Sequence, residues 1–156
     1  MVKLMPIDEL AYRIVDNEPN LQIVDIRSSD QFAKLALPGS RNISFRDFFS
    51  KDNNALFSQR HVKKVLVADN EVQEKAGCLL LKNLGYDNVA ALEGGLPQFT
   101  HIILDTTAFV PTGSRWDNDV KTFRETARVQ IANMIEAAKH LAPKAAKVEK
   151  KITGGC

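Results

Sequence analysis

Apolar and polar positions along the chain change period several times, and each change predicts a new element. Behind Pro6-Ile7-Asp8-Glu9, the pairs Leu10/Ile14 and Ala11/Val15 stand four residues apart, which predicts a short amphipathic helix with acids in its first turn. The turn cluster Asn17-Glu18-Pro19-Asn20 precedes Leu21-Gln22-Ile23-Val24-Asp25-Ile26, which reads as a strand buried on both faces. Ser28-Ser29-Asp30-Gln31-Phe32 has the form of a serine-capped helix start. Leu37-Pro38-Gly39-Ser40 is a tight turn leading into a short strand, Arg41-Asn42-Ile43-Ser44. Phe45, Phe48, Phe49 and Phe57 follow in a loop or short helix, and aromatics this close together are expected to form a satellite core. Val65-Leu66-Val67-Ala68 is an apolar run that stops at polar residues and continues as a helix to Leu84, with Gly85 placed to end it. Tyr86 to Leu92 gives the next strand, and Glu93-Gly94-Gly95-Leu96-Pro97 turns it into a helix whose first turn carries the proline. Strands alternating with helices predict an α/β fold: a parallel sheet of about five strands with helices on both faces.

The pattern changes again after Leu104. Thr106 to Asn118, with Pro111, Gly113 and Ser114-Arg115-Trp116, reads as an ordered surface loop anchored by Trp116. Asp117-Asn118-Asp119 can cap a long helix in which Val120, Phe123, Ala127, Ile131, Met134, Ala138 and Leu141 recur at three- and four-residue steps. Lys121, Arg124, Glu125, Arg128 and Glu136 fall on the other face and are expected in solvent. This apolar stripe must be covered, either by the α/β body, the preferred reading, or by the same helix of a second chain. Pro143 is expected to end the helix, leaving a flexible basic tail. The expected organisation is a domain over 1–104, a surface loop and packed helix over 105–142, and the tail over 143–156.

Composition narrows the function without naming it. The 156 residues, 44% of them hydrophobic, can bury one sizeable core. The formal net charge of +2 is uneven, because Lys144, Lys147, Lys150 and Lys151 against Glu149 leave the body near −1. The body therefore carries no nucleic-acid footprint. No segment approaches the roughly 20 apolar residues of a membrane helix, and the N-terminus has no signal-peptide run, so a cytoplasmic location is the expectation. Cys78 and Cys156 form no disulfide framework and have no metal-ligand spacing, and no cofactor or metal is expected.

The strand-to-helix step after Val67 is laid out as a site, since parallel sheets bind ligands beyond the carboxyl ends of their strands. A helix opening there can offer N–H groups to an anion. Yet the candidate binding loop, Asp69, Asn70, Glu71, Val72, Gln73, Glu74 and Lys75, sets three acids against one lysine and contains no thiol, hydroxyl or imidazole nucleophile. An anion would be repelled. Cys78, flanked by Leu79, Leu80 and Leu81, is expected to be buried with a raised pKa. His61, His101 and His140 have no partner spacing and read as ordinary polar residues.

Taken together, Ile23-Val24-Asp25-Ile26-Arg27, Leu37-Pro38-Gly39-Ser40-Arg41-Asn42-Ile43, Leu84-Gly85-Tyr86-Asp87-Asn88-Val89 and Leu92-Glu93-Gly94-Gly95 resemble, in order and spacing, the rhodanese family of sulfurtransferase domains over about residues 6 to 104. The resemblance implies a loop that begins with a persulfide-forming cysteine and cradles an anion on its N–H groups. Here Asp69 or Ala68 stands at that cysteine position, and Ala36 replaces the histidine that usually precedes the Pro-Gly turn. Asp25 and Arg27 fall where the family braces the sheet's rim beside the active loop. Two readings follow. In the first, the loop has lost its thiol and the domain is a non-catalytic binding or regulatory module whose acidic rim recognises a protein or cationic partner in a sulfur-related context. In the second, the chain is a sulfurtransferase or sulfur carrier that uses Cys156, at the end of Lys150-Lys151-Ile152-Thr153-Gly154-Gly155-Cys156. The partner is expected to be another protein, with the chain a monomer or a dimer through its C-terminal helix.

Overall fold

The computed structural model describes residues 1–105 and 109–154, the stretch 142–154 as backbone. Strands β1 (Lys3–Met5), β2 (Leu21–Asp25), β3 (Arg41–Asn42), β4 (Lys63–Val67) and β5 (Val89–Leu92) form one sheet in the order β1-β5-β4-β2-β3. Every pairing is parallel, with Leu21 to Asp25 of β2 in register with Lys63 to Val67 of β4. A parallel sheet needs cover on both faces, and the strand residues divide by parity accordingly. Ile23, Val65, Val67, Ala90 and Leu92 face α1 (Ile7–Val15), α5 (Gly95–Phe99) and α6 (Asp117–Gly154). Val24, Leu66, Val89 and Ala91 face α4 (Glu71–Asn83), α3 (Lys51–Phe57) and a 3₁₀ turn at Phe45–Phe49.

Several elements end where their residue chemistry demands. Ser28 and Gln31 close a reciprocal capping box at the start of α2 (Ser29–Lys34), each side chain meeting the other's backbone N–H. Gly39 takes a positive φ in the Pro-Gly turn, closed by the Ser40 N–H on the Leu37 carbonyl. The aromatic cluster is only partly core. Phe48 and Phe57 are fully buried and meet edge to face at 5.2 Å, whereas Phe49 is exposed and Phe45 half-covers Gly77 of α4.

The C-terminal helix packs on the body. Ala127, Ile131 and Ile135 join the core beside α1, with Phe123 and Met134 against its edge. Four expectations need correction. Leu141 is 67% exposed, since the helix has left the body by then, and Ile135 is buried in its place. Lys121, Glu125 and Glu136 are exposed as expected, but Arg124 forms a two-pronged ion pair with Asp8 at 2.9 Å and Arg128 donates to the carbonyls of Ile103 and Asp105, so these two are tied to the body rather than solvated. Trp116 is 56% exposed under the Arg115 guanidinium. The loop is anchored instead by Asp117, whose carboxylate accepts from the N–H groups of Thr112 and Gly113 and from the Thr112 hydroxyl. Finally, α6 does not stop at Pro143. It continues to Gly154, because an internal proline forfeits one hydrogen bond while the Ala, Lys and Glu residues after it favour helix. Thr106 to Ala108 and Cys156 lie outside the described residues.

This packing gives a direct contrast. Ile131→Ala should lower stability by about 2–5 kcal/mol, whereas Leu141→Ala should change it by no more than about 0.5 kcal/mol. Urea unfolding followed by circular dichroism reads both, and equal effects would contradict the packing of α6 on α1.

Candidate functional site

Three residues, Ala68 to Asn70, connect β4 to α4. Asn70 caps the helix with its side-chain oxygen on the Gln73 N–H at 2.9 Å, so Glu71 to Lys75 are already helical and most of the expected binding loop is the first turn of α4. The connection is also clamped from the far side. Leu96 donates its N–H to the Ala68 carbonyl at 2.9 Å, and a Cβ on Gly95 would lie 2.9 Å from the Asn70 Cα. Gly95 also has a φ of 80°, so only glycine allows α5 to approach this closely.

The acids of this step have separate fates. Asp69 is exposed, and both its oxygens accept from the Gln31 amide at 3.1 Å. Glu71 pairs with Lys75 at 2.6 Å and accepts the Gly94 N–H at 2.8 Å, and the Lys75 bond foremost lowers its pKa. Glu74 is fully buried. Burial raises its pKa to about 9, against the opposing Ala68 N–H at 3.0 Å, and its second oxygen has no hydrogen-bond partner. Glu74 is therefore a neutral acid at pH 7, which corrects the count of three carboxylates against one ammonium. Val72 and Gln73 point to solvent.

Asp25 and Arg27 form a buried pair, not a surface one. The Asp25 carboxylate has no exposed area and accepts from the Arg27 Nε at 3.0 Å and Nη2 at 2.8 Å. Nη2 also reaches the Leu35 carbonyl, and the Asn42 amide bonds the carbonyls of Asp25 and Arg27. The pair thus ties β2 to β3 and to the end of α2.

Beside it opens a cavity of about 530 Å³ at the carboxyl ends of the strands. Arg27, Leu35 and Asp69 line one side, while Leu96, Pro97, Thr100, His101, Leu104 and Asp105 line the other. The second group comes from α5 and a π-helical turn, Thr100–Leu104, closed by the Asp105 N–H on the Thr100 carbonyl. This wider turn brings His101 within 3.5 Å of the Asp105 carboxylate, so His101 belongs to the cavity wall. His61 and His140 are exposed elsewhere, His140 pairing with Glu136. Of the two positions that could replace the family cysteine, Asp69 reaches the cavity and Ala68 is buried. Cys78 is buried against the opposite face of the sheet, and burial followed by Glu74 pushes its pKa up to about 12. Among the described residues no cluster of side chains could hold a metal ion, and no helix is long and apolar enough to cross a membrane.

This architecture is shared. The chain belongs to the rhodanese-like domain family, whose sequence model matches residues 7–101. It is similar in structure to a rhodanese-like domain protein from Staphylococcus aureus, at 24% identity and a TM-score of 0.54 over 63% of this chain and 91% of that one. It is similar also to a single-domain sulfurtransferase from Saccharomyces cerevisiae, at 16% identity and a TM-score of 0.53 over 64% and 89%. A thiosulfate sulfurtransferase from Pseudomonas aeruginosa gives 20% identity and a TM-score of 0.53 over 62% of this chain and 18% of that one. Likeness at this level of identity shows the fold. No curated protein sequence matches the chain.

The buried acid has a consequence for stability. The folded state keeps the Glu74 proton up to about pH 9, whereas the unfolded chain releases it near the ordinary value of 4.5. Between those values the folded state binds more protons, so stability falls as pH rises, by about 1.4 kcal/mol per unit. Glu74→Gln keeps the acceptor for Ala68 without the proton. It should leave stability little changed at pH 5 and raise it on the order of 3 kcal/mol at pH 8. Urea midpoints at the two values measure this, and a variant with the same pH dependence as the parent would show that Glu74 is ionised in the fold.

Proposed function

We propose that this rhodanese-like domain binds a partner protein at the cavity beside Asp69 and does not transfer sulfur through its central step. The observation that carries the reading is the cavity's chemistry: among the described residues its wall contains no thiol, and the group at the strand end is the Asp69 carboxylate. A carboxylate forms no persulfide. The backbone supports the same reading, since the N–H groups of Ala68 and Gln73 are taken by Glu74 and Asn70. An anion would find fewer donors here than an open loop provides. Cys78 offers no substitute, because its thiol is buried beneath α4 and held in the protonated form. A sulfur-related setting is part of the proposal, supported by the family and by the sulfurtransferases that share the fold.

Incubated with thiosulfate and cyanide, the purified chain should form no thiocyanate above the uncatalysed rate. Asp69→Cys should restore a thiol without restoring substantial turnover, because the donors around the step remain bound internally. Full activity in that single variant would overturn the backbone argument. In parallel, intact-mass analysis after exposure to a persulfide donor should show no added sulfur on the parent chain. A sulfur gain at Cys156 that is lost in Cys156→Ser would replace the binding module with a sulfur carrier.

A further inference from the structure

We infer that the end of α6 pairs with the same stretch of a second copy of this chain, the two helices running antiparallel about a two-fold axis. The apolar stripe that seats α6 on the body does not stop where the body does. Ile131 is fully buried and Ile135 joins the same core, whereas Leu141 is 67% exposed. In sequence the stripe continues at alternating four- and three-residue steps through Met134, Ala138, Leu141, Ala145, Val148 and Ile152, and the backbone stays helical to Gly154. That spacing is the heptad seam of paired helices. Once it has left the body, a helical stretch of this length is marginal in water by itself, so the continuing stripe calls for a cover.

The direction of α6 selects that cover. Arg124 meets Asp8 just past β1, and Met134 lies beside Leu21 at the start of β2, so the helix leaves the body at the amino ends of the strands, away from the cavity beside Asp69. Body and stripe occupy one side of the helix. A parallel partner would run back into the space the body fills, and a flat lipid surface would meet the body first, whereas an antiparallel helix runs clear of it. At the foot of the body an apolar groove of about 390 Å³ opens between α2 and α6, lined by Phe32, Ala33, Ala36, Leu37, Pro38 and Ile135. Antiparallel pairing brings the far end of the partner's stripe to this groove, and the two-fold repeats the contact on the other copy. Charge agrees with the seam. Lys139, Lys144, Lys147, Lys150 and Lys151 hold register positions outside the stripe, and Pro143 falls on the side opposite it. The pairing therefore buries no ammonium, and it is opposed only by repulsion between the two basic ends.

Sedimentation equilibrium of the full chain, from low micromolar to submillimolar concentration, should show a reversible monomer–dimer step. Leu141→Glu places a charge on the seam at a position exposed in the single chain. It should keep the circular dichroism and the urea midpoint measured at low concentration, and weaken association about tenfold or more. Added salt should strengthen the dimer by screening the lysines, the opposite of its effect on a contact with anionic lipid or nucleic acid. In a Cys156→Ser chain, Ile152→Cys should give no disulfide-linked dimer under mild oxidation, because antiparallel helices hold the two copies of this position at opposite ends of the pair. A parent chain that stays monomeric throughout, an unchanged dimer in Leu141→Glu, weakening by salt, or a crosslink through Ile152→Cys would each overturn the proposal. Tighter binding to phosphatidylglycerol vesicles than to itself, lost in Leu141→Glu, would overturn it as well and assign the stripe to lipid.

Discussion

The carboxylate of Asp25 and the guanidinium of Arg27, buried together at the end of β2, hold the functional end of this molecule in place. Two ions removed from water are stable only when each is fully engaged. Here every contact also joins two pieces of chain. Arg27 bridges to the end of α2 through Leu35, and Asn42 bridges β3 to the backbone of Asp25 and Arg27. The wall of the cavity on this side is therefore cross-linked to β2, β3 and the end of α2. Removing Asp25 alone would strand a buried guanidinium and loosen α2, and with it the Gln31 amide that orients Asp69. The same pair commits the Arg27 guanidinium within the fold, where the buried Asp25 carboxylate engages it.

Most of the architecture was legible in the chain. The short, mainly apolar stretches Leu21 to Ile26 and Val65 to Ala68, each bounded by polar turn residues, separate strands from helices, and the turn residues around Gly39 and Gly85 mark further boundaries. What escaped the pattern was short or locally irregular. Strand β1 has three residues and sits at an edge, too few for a period to show. The π-helical turn after Phe99 carries no cap or breaker that distinguishes it from an ordinary helix, so the wall residues Thr100, His101 and Asp105 could not be grouped from sequence. Gln31 was visible as part of a helix start, yet its contact with Asp69 depends on the parallel register of β2 and β4.

Glu74 was different, since a signal for its burial existed. It lies four residues before Cys78 and seven before Leu81, which are the buried positions of α4, so helical spacing places all three on one face. Reading the carboxyl group by residue type, as a surface charge, hid that pattern. Residue type also says little within the apolar triplet Leu79 to Leu81: only Leu81 is fully buried, and Leu79 is half exposed, because one helix face cannot bury three consecutive residues.

The buried acid also bears on why the strand-to-helix step is so short. Once a carboxyl oxygen occupies the Ala68 N–H from below, that donor cannot turn outward, and α4 can begin directly at Asn70. Ionising Glu74 would place a charge near Glu71 and Asp25 at a fully buried position. The closed step therefore depends on a proton, with the second carboxyl oxygen left without a protein partner. An arrangement that spends its first donor on its own side chain has given up a contact that an incoming sulfur anion would need, and the cavity is left to its side chains. Those side chains are Asp69 and Asp105 around an apolar wall, with Arg27 already engaged. Backbone closure at Ala68 and the internal pairing of Arg27 are separate features of the sequence, and both withdraw hydrogen-bond donors from the end of the sheet.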